Sequence, residues 1–167
     1  MKSLSRLLVF ALCAIGWGAQ AQTTLNVITA GDQNMVDYVT NYLGPKFEKM
    51  NPGVKVRAVG TGPGDSGSQK IYEKLSAQAK ANVKEWDVDV AVVHQRGAAT
   101  MVSESLLAPY RNQVAAGKLT TRETATNALG TNVDGYVIPM FHSQIAFAYN
   151  PDVVKSPPRS FGELADW

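Results

Sequence analysis

Three β-branched runs, spaced by segments of helical periodicity, constrain the fold of this chain more than any other feature. Leu25–Thr29 and Val54–Val59 alternate in the manner of strands, and Val88–Val93 is a third run of the same kind. Between the first two, Met35, Val36, Val39, Tyr42, Leu43, Phe47 and Met50 recur at helical spacing and give one apolar face. Ile71, Tyr72, Leu75 and Ala79 do the same between the second and third. A β-α-β-α-β order predicts an α/β fold, with a mainly parallel sheet and helices packed on it. In such sheets ligands meet the loops at the carboxyl ends of the strands. The loops that begin at Ala30, Gly60 and His94 are therefore expected to be neighbours, and a binding site is expected among them.

Other signals punctuate this frame. Asp32 or Asn34 can cap the first helix. Gly44-Pro45 is expected to kink or split that helix, and Asn51-Pro52-Gly53 to end it. Ala98, Met101 and Val102 suggest a short helix after the third strand. Further on, Thr120-Thr121-Arg122-Glu123 fits a capping box with Ala125 and Leu129 behind it. Tyr136–Pro139 and Ile145–Tyr149 read as two more strands. A second capping box, Ser160–Glu163, follows Pro157-Pro158, and the chain ends within about two turns of it. The expectation from that ending is a fragment or a truncated product.

The N-terminus reads as a secretory signal peptide over residues 1–21. Lys2 and Arg6 precede an apolar run from Leu7 to Ala19, and Ala19 and Ala21 supply the small residues of a cleavage site. The run is shorter than the roughly 20 residues a spanning helix needs. Cys13, the single cysteine, lies inside it behind the bulky Leu12, which argues against lipidation. The exported chain then has neither a disulfide nor a thiol nucleophile. Removing Lys2 and Arg6 from the 16 Lys and Arg leaves 14, equal to the 14 Asp and Glu. These charges form no basic stripe, so nucleic acid is not an expected partner.

A set of longer matches points to a family. Phe47–Val56, Trp86–Val90, Ile138-Pro139, Ala146–Val154 and Pro157–Leu164 stand in an order and spacing that together are specific. On these residues the chain resembles the extracellular solute-binding proteins of ABC importers, of the type II periplasmic-binding class that includes maltose- and polyamine-binding relatives. The resemblance implies two α/β lobes that close on a solute. Residues 22–143 would form lobe one, 144–156 the crossover or hinge, and 157–167 the start of lobe two. It also implies a periplasmic monomer that hands a small solute to a membrane permease, with no cofactor and no catalysis.

The candidate contacts lie on the expected loops. Asp32 and Gln33 follow the first strand, and Asp32 serves equally as a helix cap. Gly62, Gly64, Asp65 and Ser66 belong to a glycine-rich loop open to several readings. Gly62–Gly67 fits a dinucleotide fingerprint, but behind the second strand rather than the first. Gly64–Ser68 resembles the nucleophile segment of trypsin-like proteases, although His94 and His142 both follow it in sequence. The plainer reading gives polar oxygens the free N–H groups of a helix start, with donors from Ser66 and Ser68. The alternative is a loop in which Ser66 only caps its helix. His94, Gln95 and Arg96 end the third strand, where Arg96 either meets ligand or stays solvated. His142, Ser143 and Gln144 precede the crossover. Two histidines without a cysteine or paired carboxylates make no expected metal site. The rival functions are an exported serine hydrolase using Ser66 with His94 or His142, and a remnant without function. Helix-start loops lean toward an anionic or hydroxyl-rich solute.

Overall fold

The structure, a computed structural model, describes residues 22–114, 123–141 and 146–166. β1 (Thr23–Thr29) is its middle strand. It runs parallel to β2 (Val54–Gly60), from Thr23 opposite Val54 to Thr29 opposite Gly60. Its other edge takes β3 (Val90–Val92), with Thr29 opposite Val92. The order β2-β1-β3 reverses direction at β1, so the carboxyl ends of β1 and β3 flank a topological switch point. The third strand is shorter than Val88–Val93 because Asp89 leaves the ladder. Its carboxylate accepts the Asn26 N–H at 2.7 Å, where a strand carbonyl would otherwise stand.

Helices cover both faces of this sheet. The first connection is α1 (Gln33–Tyr38), a π turn (Val39–Leu43) and α2 (Gly44–Met50). Pro45 has no N–H to bond a carbonyl one regular turn back, and the helix widens just before it. Gly44 N–H accordingly reaches the Val39 carbonyl. Gly44 also has to be small. A Cβ there would lie 2.9 Å from the Val39 oxygen and 3.3 Å from Val56 Cβ, so the helix presses directly on β2. The expected kink at Gly44-Pro45 is thus a wide turn. On its solvent side Tyr38 stacks on Tyr42 at 5.2 Å between ring centroids, and Lys46 lies over the Tyr42 ring.

The opposite face carries α3 (Gly64–Lys80) and α4 (Gln95–Ser103). Ile28, Ala30, Ile71, Leu75 and Met101 form the buried core there, with Trp86, Val88 and Leu107 packed around it. Tyr72 joins the two helices by donating to both Glu104 oxygens at 2.9 and 3.0 Å, and this bond pushes the tyrosine pKa up.

Two ion pairs pin the connections and make folding pH-dependent. Lys74 and Gln78 hold Asp87, and the lysine's hydrogen bond is the main cause of a lowered Asp87 pKa. Lys55 and the Val56 N–H lower Glu48 in the same way. A carboxylate depressed in the folded state contributes stability above its unfolded pKa, and loses it as pH falls through the folded value. Wild type should therefore exceed Asp87→Asn in urea stability at neutral pH, with the gap closing below the ordinary carboxylate range. A gap that stays constant down through that range refutes the assignment.

Beyond α4 the sequence expectations fare worse. α5 (Glu123–Thr126) is a single turn, followed by a hairpin of β4 (Asn127–Ala128) and β5 (Thr131–Asn132). Leu129, expected on a helix face, sits at the exposed hairpin tip with φ of 52°, beside Gly130 at 89°. Positive φ at both turn positions matches the strand twist of a tight hairpin. Tyr136–Pro139 forms no strand. The N–H groups of Tyr136 and Val137 turn back to the Val133 carbonyl, so the run has no neighbour to pair with. Ala146–Tyr149, the described part of the fifth expected strand, has no regular structure. An apolar run becomes a strand only beside another strand, and among the described residues neither segment has one.

The chain divides into two compact units, Met1–Val137 and Ile138–Trp167. In the second, the Ser160 hydroxyl accepts the Glu163 N–H at 3.1 Å and starts α6 (Phe161–Ala165), so the second capping box forms. The expected signal peptide and Thr120 lie outside the described residues. Among the described residues no helix is long and apolar enough to cross a membrane.

Candidate functional site

At the carboxyl end of the sheet, backbone hydrogen bonds tie the loop after β1 to the loop after β2 and to the end of β3. Ala30 N–H donates to Val92, Thr61 N–H to Thr29, and Gly31 N–H to Gly62, at 2.8, 2.9 and 2.9 Å. The loop after β1 is therefore bonded to both neighbours. Gly67 sets how close the third piece comes, because any Cβ at this position would overlap the Gly62 carbonyl. The first turn of α3 lies directly on the loop before it. Gly62 and Gly64 take φ of 98° and 68°, which favour glycine. The fingerprint spacing thus has a local structural cause, positive φ at Gly62 and Gly64 and close packing at Gly67, and the Gly62 carbonyl already has its donor.

The candidates among the described residues have definite places. Asp32 occupies the cap position of α1 through its backbone carbonyl, which Met35 N–H reaches at 2.9 Å. Its side chain makes no cap bond and is exposed. The Gln33 amide donates along its own helix to Asp37 at 2.9 Å. Asp65 meets Arg96 at 3.4 Å between the first turns of α3 and α4, with both side chains mostly exposed. Such a pair contributes only about 0–1 kcal/mol, yet it stations the guanidinium beside the start of α3. Gln95 is exposed at the first position of α4. His142, Ser143 and Gln144 lie outside the described residues.

The two serines exchange roles. Ser66 does not cap α3, whose cap residue is Pro63; its hydroxyl donates instead to the Pro63 carbonyl at 3.0 Å. The Ser66–His94 pair required by a hydrolase is not formed. The His94 ring meets Ser68, with Nδ1 3.2 Å from Oγ. Helical phase carries the missed signal, since Ser68 shares the inward face of α3 with Ile71 and Leu75, and all three are buried. A buried hydroxyl needs a partner. Two further residues escaped the sequence reading. Thr61 Oγ1 lies within bonding distance of the Thr29 and Gly67 carbonyls, at 3.1 and 2.8 Å. Lys70 Nζ donates to the Thr61 carbonyl at 3.1 Å and brings a cation to the loop. Asp65 is thus paired with Arg96, and Lys70 adds a second cation beside the loop after β2. The described residues include no group of three or more metal-ligating side chains.

A parallel three-stranded sheet flanked by helices, with polar loops gathered at one end, defines an α/β lobe of the periplasmic-binding-protein kind. The model of one family, bacterial extracellular solute-binding protein, matches residues 29–167. The chain belongs to that family. A search of curated proteins found no match.

Proposed function

We propose that the loops at Ala30, Gly60 and His94 form one wall of a cleft that captures a small polar solute outside the cytoplasm. The observation that carries this reading is the backbone bonding of the loop after β1 to the loop after β2 and to the last residue of β3, with Asp32, Asp65, His94, Gln95 and Arg96 exposed at that end of the sheet. Two carboxylates set against two cations favour a hydroxyl-rich solute over a strongly charged one. Residues 22–143 act as the first lobe and 144–156 as the hinge. A second lobe supplies the facing wall. Solute selects the closed state by bonding both walls at once. The closed form, working as a monomer in the periplasm, then delivers its cargo to the permease of an ABC importer. No bond of the solute is broken.

The test is thermal unfolding in the presence of neutral saccharides, amino acids and inorganic anions, one at a time. A true solute at a hundred times its Kd raises stability by about 2.7 kcal/mol. Arg96→Ala should then weaken binding about tenfold or more, since a hydrogen bond to a charged group contributes about 1.5–3 kcal/mol. A panel without any stabilising solute, or an Arg96→Ala variant that binds as wild type, defeats the proposal.

A further inference from the structure

Ser68 is 3 % exposed and makes two contacts, both to His94. Its Oγ accepts the His94 backbone N–H at 2.9 Å and lies 3.2 Å from Nδ1 of the same residue. The first turn of α4 closes over it, for a Cβ at Gly97 would come within 2.8 Å of Ser68 Cβ. A hydroxyl has one proton, and burial obliges that proton to find an acceptor. Among the described residues no carbonyl or carboxylate bonds this oxygen, which leaves Nδ1 as its acceptor. The opposite arrangement has Nδ1–H donating to Ser68. Oγ would then take two donors while its own hydrogen stayed buried without a partner, the costlier state. A neutral imidazole that accepts at Nδ1 carries its hydrogen on Nε2. His94 is exposed, does not cap α4 with its ring, and makes no other side-chain bond among the described residues.

We propose that Ser68 is a positioning residue that locks His94 as the Nε2–H tautomer, so that the wall presents a hydrogen-bond donor at this point. A solute seated there offers His94 an acceptor oxygen, whether hydroxyl, carbonyl or carboxylate. That consequence rests on the cleft reading above; the tautomer does not. A bond from a hydroxyl to an imidazole is also how a serine nucleophile is activated, so it is enclosure, at 3 % exposure, that keeps the Ser68 oxygen from a substrate.

The test is a long-range proton–nitrogen correlation spectrum of the labelled protein, recorded without solute above the ordinary histidine pKa. The sequence has two histidines, so His94→Gln assigns the signals by their loss. The expected result is a protonated Nε2 and a bare Nδ1 carrying the shift of a nitrogen that accepts a hydrogen bond. Ser68→Ala should lose that accepting shift, and Ser68→Thr, which keeps the hydroxyl, should retain it. Hydrogen on Nδ1 in the wild type, or a Ser68→Ala spectrum identical to wild type, overturns the proposal. Should Ser68→Ala not fold, the wild-type spectrum alone still decides. Because no solute is present, a wrong tautomer leaves the cleft reading intact, and a failed solute panel leaves the tautomer intact.

Discussion

Gly67→Ala is expected to cost at least about 3 kcal/mol or to prevent folding, at the upper end of what overpacking does. The added methyl would meet the Gly62 carbonyl, which is backbone and is itself fixed by the Gly31 N–H at 2.9 Å. Neither side can swing away as a flexible side chain would. To make room, α3 has to withdraw from the loop before it, and that also disturbs the contact between Ser68 and His94. Gly64→Ala is the control. It has open space around its Cβ and only the strain of φ at 68°, about 1–2 kcal/mol. Urea unfolding followed by circular dichroism should rank Gly67→Ala as clearly the worse of the two. Equal losses would mean that the close approach contributes nothing beyond backbone strain.

Ile71→Ala should lower stability by about 4 kcal/mol, within the range for truncating a buried aliphatic side chain. Ile71 is 0 % exposed and packs with Ile28, Leu75 and Met101, the contact that fastens α3 and α4 to the central strand. For a domain whose whole stability is about 5–15 kcal/mol, that is a large share. The melting temperature should fall by about 10 °C. Phe161→Ala offers the contrast, since Phe161 is 86 % exposed and its truncation should move stability by no more than about 0.5 kcal/mol. Melting curves of the two variants beside wild type check both statements. A small loss at Ile71 would place the core elsewhere.

The parallel sheet and its flanking helices were legible because their signals are periodic and repeat over many residues. β2 alternates over most of its length, β1 ends in the β-branched run Val27-Ile28-Thr29, and the inward face of α3 returns at each turn. The hairpin at Leu129-Gly130 was not legible, because two-residue strands are too short to show a period and its apolar residues fit a helix as well. The Tyr136–Pro139 run failed for a different reason. Strand propensity measures fitness for a pleated surface, and the neighbouring strand that makes one is not recorded in local sequence. At the site, topology alone brought the three loops together on paper. Which hydroxyl meets the histidine depended on helical phase, and composition near the glycines pointed to Ser66 instead. The pairing of Asp65 with Arg96, in the first turns of helices that follow different strands, had no local signal at all.

The wide turn at Val39–Leu43 contains one residue more than a regular helix would use over the same rise. It acts as a phase adjuster between two stretches of helix that answer to different neighbours. Met35 and Val36 are oriented by Gly31 and Gly60 at the mouth of the loops, whereas Gly44 is oriented by Val56 further down β2. Deleting one residue from the turn would regularise the helix and rotate one stretch against the other by about 100°. Either Gly44 would lose its seat on the strand or Asp32 would be swung out of the loop cluster. The proline that forces the bulge therefore governs the aim of a carboxylate more than two turns away.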